Sequence, residues 1–482
     1  MKGFVMKHLF PYSLLAIIWF VMFPLPGFAQ SESVNILLQS PNTRYANIGI
    51  CIKDLTTGRV IESYRPQNAI PPASVMKVLT TATALEVLGA DTCILTVLEY
   101  SGKIEKGCLI GNLYIHGYGD PTLGSLNQGQ AFLKTWVQAV QNAGIKEISG
   151  GVVADMSYFD GDALNPAWLW EDAGNYYAPG IFSIAYMDNT MNVVLNSSEV
   201  GSVAQVKYTV PEVPGIEFEN HIRCTQTNED CAYIHGMPYN NHRYLVGAIP
   251  SNEGQFGVKG DLPNPGLLLA QHFTTRLRTA GIAVRQEAAY HTERDLVPRT
   301  PIYTHRSMPL AGIIEQTNMH SVNLYAETLY RLLGARLSTP CSLHNAELMV
   351  RNYWRNRGIS LLGATIKDGC GLAPQNGISA QTLVEILTYM YASSNKDAFY
   401  ASLPVSGKTG TLRSFLAKTE LEGKVHAKSG TIGGTKNYAG YIELPNGDKW
   451  VFAIMVNSGV GKARDLQNTI QKYLLDVYSR NR

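Results

Sequence analysis

The stretch Pro71-Pro72-Ala73-Ser74-Val75-Met76-Lys77-Val78-Leu79-Thr80, continuing to Leu88, constrains this chain more than any other. Pro72 just ahead of the run suits a helix start. After Lys77 the polar breaks are Thr80, Thr81, Thr83 and Glu86, and only Glu86 is charged. A helix that is apolar on nearly all sides is a buried one, so the fold must wrap around it. Ser74 and Lys77 stand three apart, which makes them neighbours on one helix face. A serine hydroxyl is a poor nucleophile until a base takes its proton. A lysine becomes that base when burial or a nearby cation lowers its pKa. The plain alternative is a helix cap beside a snorkelling lysine. A second S-x-x-K, Ser393-Ser394-Asn395-Lys396, has no apolar helix after it and reads as a surface loop.

A chain of 482 residues, 45% hydrophobic and 16% charged, is globular and long enough for two or three domains. Its formal net charge of +2 points to no nucleic-acid partner. The first residues read as an export signal, with Lys2 and Lys7 ahead of an apolar stretch from about Leu9 to Phe23. Gly27-Phe28-Ala29 places a cleavage site after Ala29, giving a signal peptide over residues 1–29. The rival reading is an uncleaved N-terminal anchor. No later segment is apolar for long enough to span a bilayer, so the expected location is exported, periplasmic or cell-envelope associated. Of 7 cysteines, Cys224 with Cys231 and Cys93 with Cys108 are candidate pairs. No C-x-x-C pair or H-E-x-x-H helix occurs, and no metal or organic cofactor is implied.

Alternation over Asn47–Asp54 and Val60–Tyr64, around Thr56-Thr57-Gly58, predicts a hairpin directly before the Ser74 helix. From Asp91 to Arg299 short strand-like runs recur: Ile94–Tyr100, Cys108–Ile115, Gly151–Ala154, Val203–Val210 and Arg243–Ile249. Helices follow over Leu310–Thr317, Ser321–Leu337, Ser342–Arg357 and Thr382–Ser393. Strands then run over Val425–Ser429, Tyr438–Leu444 and Trp450–Asn457, the last two joined by an Asn446-Gly447 hairpin turn, before an amphipathic helix at Arg464–Tyr478. The pattern predicts an α+β fold: one antiparallel sheet built from both chain ends, with helices packed on it. Residues 30–90 and 300–482 form that unit, and 91–299 is a β-rich insertion in two subdomains.

Two further patterns complete a site. Ser321-Val322-Asn323 stands at an expected helix start, either as an ordinary N-cap or as a hydroxyl and an amide aimed into a cleft. Lys428-Ser429-Gly430-Thr431 ends an alternating run and suits an edge strand whose glycine lets substrate backbone approach. Lys408-Thr409-Gly410 has similar lettering but follows Leu403-Pro404-Val405-Ser406-Gly407, which reads as a loop, so Lys428 is preferred. Its cation would lower the pKa of Lys77 and bind an anionic substrate terminus. The N–H groups of Ser74 and Thr431 would form an oxyanion hole.

S-x-x-K, S-x-N and K-[ST]-G in this order resemble the motif set of the penicillin-binding proteins and class A β-lactamases. The 247 positions between the first two motifs (321 − 74) are similar to the long insertion of the low-molecular-mass class C penicillin-binding proteins. These are D-alanyl-D-alanine carboxypeptidases and endopeptidases. Gly119-Asp120-Pro121-Thr122-Leu123, the segment from Trp170 through Tyr177, and Asp368-Gly369-Cys370-Gly371-Leu372 also resemble that family, with Cys370 where serine is usual. Leu403–Leu412 resembles a segment upstream of the third motif, which again favours Lys428. The resemblance implies a serine DD-peptidase fold. It implies catalytic roles for Ser74, Lys77, Ser321, Asn323 and Lys428, and substrate binding by Ser429, Gly430 and Thr431. Asp155 looks like the insertion aspartate that binds the amine of a stem-peptide diamino acid; an ordinary turn aspartate is the alternative. The implied partners are peptidoglycan peptides and, as covalent inhibitors, β-lactam antibiotics. A β-lactamase or a Ser-Lys esterase of the same fold, and a non-catalytic peptidoglycan-binding protein, are the rival readings.

Overall fold

The computed structural model describes residues 31–126, 128–226 and 228–481. The signal peptide expected over residues 1–29 lies outside them. Both chain ends build one five-stranded antiparallel sheet, ordered Val60–Tyr64, Asn47–Asp54, Lys449–Asn457, Thr435–Glu443, Val425–Ile432. Asn47 pairs with Asn457 and Asp54 with Trp450, so the first hairpin closes against the last strand. Gly447 turns the final hairpin at φ 89, a conformation that glycine adopts without a Cβ penalty.

Strand alternation sends side chains to both faces. Ile48, Ile50, Ile52, Phe452 and Ile454 pack with Val34 and Leu37 and with Ile470, Leu474 and Val477 of the last helix. Cys51, Val451, Ala453 and Met455 face the opposite way, toward the Met76–Leu88 helix. Every residue of that helix from Met76 to Leu85 is buried, as its nearly continuous apolar surface requires. Helices Leu310–His320, Asn323–Gly334, Leu343–Arg355 and Ala380–Ala392 surround it. Each fully buried Val or Leu there contributes about 1.5–3 kcal/mol.

The chain leaves this unit along Cys93–Ser101 and returns along Arg299–Pro309, and the two strands pair antiparallel. The residues between them build further sheets around a core of their own, which includes Leu98, Ile115, Trp136, Val193, Val258 and Phe273. No helix among the described residues is long and apolar enough to cross a membrane.

Four expectations need correction. The run Cys108–Ile115 is two strands, Cys108–Ile110 and Leu113–Gly117. Gly111 breaks it where a Cβ would stand 2.0 Å from Ser101 O. Ser393 is not on a free surface loop: it links helices Ala380–Ala392 and Lys396–Ser402, and its hydroxyl donates to Glu86. Cys224 and Cys231 do not pair, because their strands lie on opposite edges of His242–Pro250, two strand spacings apart. Cys93 and Cys108 fall in different sheets, and both are free thiols.

Candidate active site

Pro72 leads into a 3-10 turn, Ala73–Val75, that feeds the Met76–Leu88 helix. That turn sets Ser74 at the mouth of the helix and Lys77 one turn inside it. Lys77 is fully buried, and its ammonium donates to three acceptors: Ser74 Oγ at 3.0 Å, Asn323 Oδ1 at 2.6 Å and the Cys370 carbonyl at 2.9 Å. Burial holds its pKa below the ordinary lysine value, while nearby Cys370, Asp368 and Glu327 pull the other way.

Ser321 is not at a helix N-cap. It is the left-handed residue (φ 60, ψ 38) that ends helix Leu310–His320, just before helix Asn323–Gly334 begins. That bend brings Ser321 Oγ to 3.0 Å from Lys428 Nζ and turns Asn323 onto Lys77. The Asn323 amide donates at 2.7 Å to the carbonyl of Tyr177, from the inserted region.

Lys428 lies on the edge strand and is fully buried; it also donates to Ser429 O at 2.8 Å. Burial, with Lys77 and Lys436 nearby, holds its pKa well below the ordinary value. Burial is also the chief cause of the Lys77 depression, as expected of a lysine inside an apolar helix. Gly430 lies directly on the Ser74 backbone: a Cβ there would stand 2.6 Å from Pro72 O and 3.1 Å from Ser74 N. Ser429 Oγ donates to Thr411 Oγ1 at 2.8 Å, and Lys436 Nζ to Thr431 Oγ1 at 2.9 Å. Lys408 is elsewhere, largely exposed and paired with Glu422.

Asp155 is not brought to this cluster. It lies in the inserted region beside a cavity of about 340 Å³, ion-paired with Arg299 and accepting from Ser157 N. Tyr177, whose carbonyl takes the Asn323 amide, donates its hydroxyl to Asp172 at 3.0 Å.

Two participants carry no sequence signal of their own, because they are backbone carbonyls: Cys370 O and Tyr177 O. The Asp368-Gly369-Cys370-Gly371 lettering is the nearest available clue. Asp368 organises that loop, accepting from Gly371 N, Asn376 Nδ2, Ala373 N and Trp168 Nε1 at 2.6–3.0 Å. Gly371 has φ +89 and lies where a Cβ would meet Ala73 O, which locks the loop against the Ser74 turn.

Glu327, Asp368 and Cys370 are the one group among the described residues with three ligand-type atoms close together. The set does not fit a metal: four N–H donors occupy Asp368, and two occupy Glu327 Oε1. Chemically, the cluster offers one activatable hydroxyl, a buried amine upon it, and a second hydroxyl held by a second lysine. That is the equipment of serine acyl transfer.

The D-Ala-D-Ala carboxypeptidase 3 (S13) family profile matches residues 30–477. The chain is 26% identical over 472 residues to D-alanyl-D-alanine carboxypeptidase DacB of Haemophilus influenzae, covering 96% of this chain and 95% of that one. A crystal structure of penicillin binding protein 4 from the same organism superposes with a TM-score of 0.81 at 23% identity, covering 93% of this chain and 100% of that one. A second structure of that protein, complexed with a novel β-lactam, gives a TM-score of 0.75 at 23% identity, covering 92% and 99%.

Proposed function

The chain belongs to the D-Ala-D-Ala carboxypeptidase 3 (S13) family, and from that premise we propose how its residues divide the reaction. It is a serine-type D-Ala-D-Ala carboxypeptidase of the penicillin-binding fold. Its substrates are peptidoglycan stem peptides, with D-Ala–diamino acid cross-links as a second target. The observation that carries the assignment of roles is the buried Lys77 amine 3.0 Å from Ser74 Oγ.

Neutral Lys77 takes the proton from Ser74. Burial favours that neutral form. Ser74 Oγ attacks the carbonyl of the penultimate D-Ala. The N–H groups of Ser74 and Thr431 stabilise the oxyanion. Ser321, held by Lys428, passes the proton that Lys77 took from Ser74 on to the departing amine, which leaves Lys77 neutral again. Lys428, Ser429 and Thr431 receive the terminal carboxylate, and Gly430 lets the substrate backbone lie along the edge strand. Asn323 keeps Lys77 in place. Water, activated in turn by Lys77, hydrolyses the acyl-enzyme. Each step uses protein groups and water alone. A β-lactam enters the same path, and its ring-opened acyl group stays on Ser74.

For the amine-binding role expected of Asp155, Arg299 is a competing cation that Asp155 shares with Glu99 and Asp295. Export to the cell envelope follows from the substrate and from the charged and apolar pattern of residues 1–29.

The test is labelling with a fluorescent penicillin beside release of D-Ala from a pentapeptide, wild type against Ser74→Ala. A stable adduct and D-Ala release, both absent in the variant, support the reading. A label lost within seconds favours a β-lactamase. No label with retained ester cleavage favours an esterase, and peptidoglycan binding with neither activity favours a wall binder.

A further inference from the structure

We propose that Glu327 is a positioning residue for Lys77: together with Asp368 it fixes the Cys370 carbonyl that, with Asn323, leaves the amine lone pair facing the Ser74 hydroxyl. This rests on the roles proposed above for Ser74 and Lys77.

A lysine ammonium has three N–H groups, and Lys77 has three acceptors at 3.0, 2.6 and 2.9 Å. The neutral amine that acts as base has two N–H groups and one lone pair. The amide oxygen of Asn323 and the carbonyl of Cys370 carry no proton, so each can only accept. Ser74 Oγ alone can donate. With both acceptors filled, the lone pair has one direction left, toward Ser74. Without the Cys370 carbonyl, the amine is free to turn an N–H toward the serine, and that orientation is not a base.

The Cys370 carbonyl is held by two carboxylates: Asp368 accepts from Gly371 N, in the same peptide plane as that carbonyl, and Glu327 takes the two N–H groups before it. Gly369 N and Cys370 N both donate at 2.7 Å to Glu327 Oε1. Glu327 is fully buried and sits one turn after Asn323 on the same helix, on the same face. One helix face therefore supplies one Lys77 acceptor directly and helps fix the other through the Asp368–Gly371 loop.

The second oxygen, Glu327 Oε2, is buried and has no hydrogen-bond partner. Holding two backbone N–H groups needs only one oxygen, which a glutamine also supplies. A carboxylate in this place carries an unmatched cost, and what it adds is charge beside Lys77. The groups facing it are Lys77, Asp368, Cys370, Tyr330 and Arg331. Burial first, then Asp368, raises the Glu327 acid to about 7, so its charge is present above neutrality and fades below it. When charged, it favours the ammonium form of Lys77.

Glu327→Gln and Glu327→Leu separate the two effects. The measurement is the acylation rate by a fluorescent penicillin across pH, split into the noncovalent binding constant and the acylation step, with Lys77→Arg beside them. Glu327→Gln is expected to keep the wild-type plateau while the rising limb moves to lower pH. Glu327→Leu is expected to lower the acylation step about 10²-fold with the binding constant unchanged. A wild-type plateau in Glu327→Leu, or an unmoved limb in Glu327→Gln, overturns the proposal. Where Glu327→Leu fails to fold by circular dichroism, the Glu327→Gln limb decides alone. Failure of the underlying assignment looks different: Lys77→Arg then acylates like wild type.

Discussion

Lys77 Nζ and Asn323 Oδ1 lie 2.6 Å apart, although 246 positions separate them. The contact joins the helix before the insertion to the helix after it, across the base of the proposed site. Asn323→Ala is therefore expected to lower penicillin acylation while leaving the fold intact. The predicted loss is about 10²-fold, the usual effect of a reacting group displaced by about 1 Å. Lys77→Arg, which cannot deprotonate, is expected to lose about 10²–10⁴-fold. Stopped-flow acylation with melting curves checks both, and wild-type rates in either variant refute the assignment.

The two buried lysines predict a pH signature in stability. Burial lowers both pKa values in the fold. The unfolded chain then binds more protons than the folded one between those lowered values and the ordinary lysine value of 10.5. Stability contributed by these groups therefore rises with pH across that window. Lys428→Met removes one of them. Its stability advantage over wild type in urea unfolding is expected to shrink as pH rises from 6 toward 9. A gap constant in pH would mean that Lys428 is not depressed.

The Ser74 helix and the two-ended sheet were legible because their signals are local or periodic. An apolar run broken after Lys77 only by three threonines and Glu86 specifies a buried helix; Asn47–Asp54 and Lys449–Asn457 are strands as expected, but both are buried on two faces rather than half-buried, because helices cover both sides of the sheet. Ser321 was found for its hydroxyl but given the wrong local structure, since S-x-N lettering does not distinguish an N-cap from a left-handed bend. The Cys370 carbonyl was out of reach: its place depends on Glu327 and Asp368 meeting across the fold. The cysteine pairs failed because sequence nearness does not reveal that two strands flank a third.

The choice of Lys428 over Lys408 is separable by mutation. Lys408 is exposed and ion-paired with Glu422. Lys408→Ala is expected to acylate and release D-Ala like wild type, whereas Lys428→Ala loses both. The reverse result would move the third motif to Lys408.

Gly430→Ala probes the edge strand without touching a charge. The added methyl meets Pro72 O at 2.6 Å and Ser74 N at 3.1 Å, both rigid backbone atoms. Either the strand or the Ser74 turn must shift, at about 1–3 kcal/mol. Acylation is expected to fall more than stability, because the shift lies between Ser74 and the proposed oxyanion donor Thr431. Equal retention of both in calorimetry and penicillin labelling would show that the strand yields freely there.

Asp155 distinguishes a structural carboxylate from a substrate-binding one. Burial pushes its pKa up, but His116, Ser157 and Arg299 outweigh that and hold it below the usual aspartate value. A carboxyl so lowered contributes stability above its unfolded pKa and loses it as pH falls through the folded one. Asp155→Asn leaves Arg299 with Asp295 at 2.8 Å and a weakened tie to the strand that holds residue 155. The expected destabilisation is about 1.5–3 kcal/mol, the range for a hydrogen bond to a charged group. It should diminish as pH falls below the ordinary aspartate value and vanish once pH is below the lowered value in the fold. The KM for peptides carrying a free diamino-acid amine is expected to stay at the wild-type value. A raised KM confined to amine-bearing peptides, with unfolding unchanged, would restore Asp155 to the substrate.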